Sequence, residues 1–220
     1  MLTVEKRYRF IYKPIVFVAS LVPALLLLAG AFNLFGRELG PDPVERLLHS
    51  CGKTALNFLM LTLLVTPVRQ LTGFTNLVRL RRMLGLFAFF YASLHFLVYL
   101  ILDQELDLAN VVKDITKRPY ITIGFSALVL LIPLAITSTN RMMRRLGRRW
   151  QKLHRLVYVI AVLGVWHYYW QVKRDVREPL LYVGFLVVLF GWRLAWRWRA
   201  QRALTSPSRV GQSLRPSASD

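Results

Sequence analysis

The chain has a single cysteine, Cys51, so no intrachain disulfide framework can form. Acidic residues are also scarce, 11 against 30 Lys and Arg, and charged residues of both signs make up 19% of the 220 residues. An ordinary soluble domain carries about 25%. No phosphate-cradling GxGxxG or GxxxxGK[ST] loop is present, and no CxxC or HExxH site. The connections between apolar blocks reach about 18 residues at most, too short for a soluble nucleotide-binding or catalytic domain. What is abundant is hydrophobicity, at 55% of residues, which excludes disorder for the body of the chain.

The apolar residues fall into six blocks, at 11–34, 47–68, 83–102, 120–138, 153–170 and 180–198. Each approaches the roughly 20 residues that cross about 30 Å of hydrocarbon at about 1.5 Å per residue. The pattern predicts an all-α, polytopic membrane protein with a six-transmembrane-helix bundle over residues 11–198. It also predicts a cytoplasmic N-terminus over 1–10 and a cytoplasmic, disordered tail over 199–220. The first block lacks a small-residue cleavage site and is followed by five similar blocks, so it does not read as a cleaved signal. Lys53 and Arg155, near block ends, can snorkel. Pro67, Pro119 and Pro133 read as helix-end or kink features, with Thr137 and Ser138 placed to satisfy freed carbonyls.

Charge alternates with the blocks. Twenty-one of the Lys and Arg residues lie on one side, with only Glu5 and Asp220 as acids; the other side carries nine bases and nine acids. The whole net charge of +19 therefore sits on one face, which the Lys/Arg bias makes cytoplasmic, with both termini inside. A phosphate-binding patch would not need membrane-length spacers alternating its position, so nucleic acid is excluded as a partner. Contact with the lipid bilayer's anionic headgroups accounts for the arginine runs.

Four histidines can supply imidazoles: His49, His95, His154 and His167. A polar ring in hydrocarbon is costly unless bonded, which makes mid-membrane histidines functional candidates. His95 lies about 18 Å into the third block and His167 about 24 Å into the fifth, both counted from the cytoplasmic side. Two imidazoles at similar depth on parallel helices can clamp a haem iron from both faces, a low-spin arrangement suited to electron transfer. The competing reading is that each ring hydrogen-bonds a neighbouring helix. His154, about 20 Å from His167 along a continuous helix, cannot share its iron. It reads as a ligand of a second haem, as part of a quinone or flavin site, or as an interfacial residue. Arg82 stands where a partner for a second haem would be expected. His49 reads as headgroup-facing or packed in a loop. Phe87, Phe89, Phe90, Tyr91, Phe96, Tyr99, Trp166, Tyr168, Tyr169 and Trp170 would suit a flat porphyrin, or an interfacial belt. Lys117 with Arg118, and Lys173 with Arg174, are outward cations that can pair with haem propionates or a docking partner, or stay solvated. No buried carboxylate relay and no obvious duplicated half point to a cofactor-free transporter.

The strings RRMLGLFAFFYASLHFLVYLILD (81–103), KRPYITIGFSALVLLIPLAITS (117–138) and WQKLHRLVYVIAVLGVWHYYWQVK (150–173), with LNFLMLTLLVTPVRQ (56–70), resemble the MsrQ family. These are haem-binding membrane subunits within the ferric-reductase-like transmembrane group. The resemblance covers residues 42–197. It implies a protein of the bacterial inner membrane that passes electrons through b-type haem from quinol, or from a cytoplasmic flavin reductase, to a periplasmic MsrP-like molybdopterin subunit that repairs methionine sulfoxide in envelope proteins. It further implies His95 and His167 as axial ligands of haem b, and a functional His154 that is an alternative haem ligand or part of a quinone or flavin site. FMN is implied too, at the cytoplasmic face near 79–82 or 141–154. Sulfoxide reduction itself is expected on the partner. The rival functions are a general haem-dependent ferric or quinone reductase and a membrane transporter.

Overall fold

A computed structural model describes residues 8–36, 39–172 and 175–205, and no strand occurs among them. A π-helical turn, Tyr8–Tyr12, leads into α1, Lys13–Ala31. The others are α2, Pro43–Thr72; α3, Leu77–Val98, prolonged by a π turn at Tyr99–Asp103; α4, Leu108–Lys117; α5, Pro119–Ile136; α6, Asn140–Leu146; α7, Arg148–His154; α8, Leu156–Gln171; and α9, Arg177–Thr205. Lys173 and Arg174 lie outside the described residues, as do 1–7 and the tail from 206 onward.

Local chemistry sets the helix ends. The Asp42 carboxylate accepts from Glu45 N–H at 2.9 Å, capping α2, and Pro43 occupies its first turn, where a missing N–H costs nothing. Gly73, at φ 72°, closes α2 in the left-handed conformation that a side chain would resist. Asp107 caps α4 through Ala109 N–H and Asn110 N–H. Pro119 holds Arg118 extended and so separates α4 from α5. At the other end of α5, Thr137 Oγ1 donates to the Pro133 carbonyl at 2.6 Å and Ser138 Oγ to the Leu134 carbonyl at 2.7 Å, as the residue types suggest.

Five helical segments are long and apolar enough to cross a membrane: Phe10–Ala31, Pro43–Thr72, Leu77–Asp103, Pro119–Ile136 and Arg177–Arg202. The fifth apolar block departs from expectation because it is not one helix. At Arg155 the ladder tightens into i→i+3 bonds, Arg155 N–H to Lys152 O at 3.2 Å and Tyr158 N–H to Arg155 O at 3.1 Å, dividing α7 from the 16-residue α8. His154 and His167 are therefore on different helices. α9 continues to Thr205, through residues expected in the tail.

α2 and α3 form one closely packed hairpin and α5 and α8 another; α3 meets α5, and α2 meets α8 and α9. Their shared core includes Leu56, Leu59, Leu63, Ala88, Leu131, Ile160, Ala161 and Val165, with Cys51 buried on α2. Two prolines need help from other helices. Pro67 cannot donate to the Leu63 carbonyl one turn back; the Arg193 guanidinium on α9 donates to it instead, and lies 5.3 Å over the Tyr158 ring. In α1, beside Pro23, the buried Tyr91 hydroxyl is inserted into the helical ladder. It accepts from Ala24 N–H at 3.0 Å and donates to Ser20 O at 2.7 Å, tying α1 to α3.

Candidate functional site

His95 and His167 come together. Their ring centroids are 6.1 Å apart at 75°, and both line a cavity of about 330 Å³ between the two hairpins. His95 Nδ1 is 2.9 Å from the Leu48 carbonyl on α2, and His167 Nδ1 is 2.7 Å from the Tyr120 carbonyl on α5. A carbonyl only accepts, so Nδ1 of each ring carries the proton and Nε2 has the lone pair to offer. An imidazole that ligates a metal is oriented by this kind of second bond.

Each carbonyl is reachable because of a glycine. A helical side chain covers the turn N-terminal to its own Cα, so the residue four after Leu48 or Tyr120 would lie over that carbonyl. Those residues are Gly52 and Gly124. A Cβ on Gly52 would stand 3.1 Å from His95 Nδ1, and one on Gly124 only 2.7 Å from His167 Nδ1. Neither glycine nor carbonyl is apparent from hydropathy. The signal that finds them is a spacing: Leu48, Gly52 and His95 recur as Tyr120, Gly124 and His167 at an offset of 72 residues. The offset also relates the identical wall pairs Leu56/Leu128 and Leu59/Leu131. The two hairpins thus carry matching carbonyl–glycine–imidazole arrangements at one spacing.

The rim of the cavity is polar. Asp114, buried at 9% exposure, accepts from Tyr99 Oη at 3.2 Å and pairs with Arg118 Nε at 3.2 Å. It so joins the end of α3, just past His95, to the start of α5, just before Tyr120. Lys53 Nζ lies 2.5 Å from Glu178 Oε2, which also accepts from Tyr168 Oη at 2.6 Å, linking α2, α8 and α9. His49, whose side chain is half exposed, lines the cavity beside Gln171, at 3.2 Å, and follows the residue whose carbonyl holds His95. Of the expected aromatics only Phe96, Tyr99 and Tyr168 line the cavity, joined by Tyr120 and Phe125. Phe87 and Tyr91 stack on Phe58, with Phe90 edge-on to both, while Trp166, Tyr169 and Trp170 are exposed on the far side of α8.

His154 lies outside this cavity. Its ring stacks on Trp150 with centroids 3.8 Å apart, and its Nδ1 is 3.1 Å from the Trp150 carbonyl. Nε2 is 3.5 Å from Ser138 Oγ, at the limit of a hydrogen bond. Nearby, Arg82 donates to Asn140 Oδ1. Among the described residues no group of three or more His, Cys, Asp or Glu is placed to hold a metal ion.

Two membrane-embedded hairpins, each presenting one carbonyl-oriented imidazole to a shared cavity, define a class of polytopic protein with an internal two-imidazole site. Residues 51–165 match the family described as ferric reductase like transmembrane component. Three similar proteins carry the name protein-methionine-sulfoxide reductase heme-binding subunit MsrQ. That of Ralstonia nicotianae is 52% identical over 191 residues, covering 85% of this chain and 86% of its own. That of Xanthomonas euvesicatoria is 49% identical over 197 residues, covering 88% and 90%, and that of Herminiimonas arsenicoxydans 48% over 209 residues, covering 90% and 94%. The chain belongs to the MsrQ family of ferric-reductase-like transmembrane proteins.

Proposed function

We propose that this chain is the electron-carrying membrane subunit of a protein-methionine-sulfoxide reductase system and holds b-type haem between His95 and His167. The observation that supports this most is the matched pair of clamps, carbonyl, glycine and imidazole, facing one cavity. The fit is metric as well as chemical. Metal–nitrogen bonds of about 2 Å, with roughly 1 Å more from each nitrogen to its ring centre, would set two axial rings about 6 Å apart; the centroids stand at 6.1 Å. Held by His95 and His167, the haem would supply one-electron redox chemistry.

The chain's own groups do the rest. The Leu48 and Tyr120 carbonyls hold each Nδ1–H and keep both Nε2 atoms available. The leucine and alanine walls exclude water, and Lys53 and Arg118 at the rim offer cations to the haem carboxylates. The charge bias assigns the His95/His167 end to the periplasm of a bacterial inner membrane, with both termini cytoplasmic and α8 as a sixth span. The acceptor is then a periplasmic MsrP-like molybdopterin subunit, on which sulfoxide reduction occurs. Electrons enter from the quinol pool or a cytoplasmic flavin reductase. His154, at the opposite end from the cavity's rim, belongs to that donor side as part of a quinone or FMN site.

The test is an absorption spectrum of the purified protein expressed with ample haem, followed by mixing of the reduced protein with a purified MsrP-type partner. Low-spin b-type bands that are lost separately in His95→Ala and His167→Ala, and reoxidation that requires the partner and its sulfoxide substrate, are expected. A colourless protein, or full haem in either variant, overturns the assignment.

A further inference from the structure

The two hairpins present matching clamps and, below the histidines, closely similar walls to the cavity, and that bears on how a flat group with unlike faces is seated. Any rearrangement that carries His95 onto His167 also exchanges the two faces of whatever lies between them. A b-type haem turned over with its carboxylate edge kept at the rim exchanges methyl for vinyl groups along the opposite edge. Its two seatings are therefore told apart only where repeat-related wall residues differ. From the histidines to the rim the walls differ more widely, as in Lys53 against Phe125, Leu48 against Tyr120 and Tyr99 against Gln171, but these residues lie toward the carboxylate edge common to both seatings.

Deep in the cavity the related leucines are identical, and two apolar pairs are unlike: Ala92 against Gly164, one carbon, and Ala88 against Ile160, three carbons. Ala88 and Ile160 are each 1% exposed, on α3 and α8, so neither can swing aside into lipid. We propose that Ala88 against Ile160 is the pair that decides which face of the haem meets His95 and which meets His167; this rests on the haem reading above. The smaller Ala88 leaves room on the α3 wall for the bulkier vinyl, and Ile160 leaves less on the α8 wall. One carbon more or less in an apolar pocket shifts a preference by about tenfold or more.

Proton NMR of the ferric, low-spin holoprotein resolves the haem methyl resonances of the two seatings as separate sets. The wild type should show one dominant set. Ile160→Ala, which makes the walls alike at this depth, should bring the sets toward equal intensity. The volume-conserving exchange A88I/I160A should reverse which set dominates. Two sets of equal intensity in the wild type, or an unchanged ratio in a variant that retains low-spin haem, would overturn the inference while leaving the two-histidine site intact. Should the exchange variant bind no haem, Ile160→Ala decides alone by the same ratio. Absence of low-spin haem from the wild type overturns the parent reading, and this one with it.

Discussion

Substituting Gly124 by Ala adds one methyl group where the structure has least room for it. The new Cβ would lie 2.7 Å from His167 Nδ1, 2.8 Å from Cε1 and 3.0 Å from Cγ. Ordinary contact begins at 3.4 Å, so the ring must retreat by about 0.7 Å. It retreats from the same carbonyl that orients it, stretching the 2.7 Å bond to Tyr120 toward about 3.4 Å, past the usual range and so weakened. Overpacking costs about 1–3 kcal/mol, and losing a ligand's orienting partner typically costs about 10–100-fold in metal affinity. Gly52→Ala is the internal control: its Cβ would stand 3.1 Å from His95, needing a shift of only about 0.3 Å, and should weaken haem binding several-fold less. Alanine favours the helix over glycine by about 1 kcal/mol, so loss of haem cannot be ascribed to a weakened α5. Haem titration into apoprotein, with the low-spin electron paramagnetic resonance signal as a check on ligation, measures both variants. Wild-type affinity and an unshifted signal in Gly124→Ala would refute the clamp.

Arg193→Leu should destabilise the protein by about 1.5–3 kcal/mol, as expected when a charged hydrogen bond to a buried carbonyl is lost. Pro67→Ala restores an N–H for Leu63, so the same loss should shrink on that background, measured as a double-mutant cycle of unfolding in detergent. Tyr91→Phe removes both bonds to the interrupted ladder of α1; limited proteolysis between α1 and α2 should accelerate while the haem spectrum stays unchanged. Asp114→Asn should lower haem affinity without abolishing it, since it loosens the tie between the His95 and Tyr120 segments but leaves both imidazoles in place. Equal losses in Asp114→Asn and His167→Ala would contradict that division of roles.

Hydropathy marks the apolar blocks, five of which correspond to helices long enough to cross a membrane, and polar cost in hydrocarbon singles out His95 and His167, whose rings meet across the cavity. These are properties of residue type and position along one chain segment, and sequence reports them directly. What it did not display is relational. The break at Arg155 has no proline or glycine to mark it; it comes with Trp150 Nε1 bonding to the Thr137 carbonyl, a contact between separate helices. The partners of the imidazoles are backbone carbonyls 47 residues away, and a carbonyl has no letter of its own. Gly52 and Gly124 acquire meaning only once those bonds are known. The 72-residue spacing of the two clamps is hard to read in sequence for a similar reason: most intervening positions need only be apolar, so few identities mark it.

The burial of Cys51, at 1% exposure, has a practical corollary. A thiol so enclosed is inert to water-borne maleimides, so the native chain serves as its own unreactive background. Single cysteines introduced at 105 or 113 on one side, and at 145 or 152 on the other, can therefore be mapped by labelling intact cells without first removing the natural one, and which pair reacts from outside reads off the sidedness of the molecule.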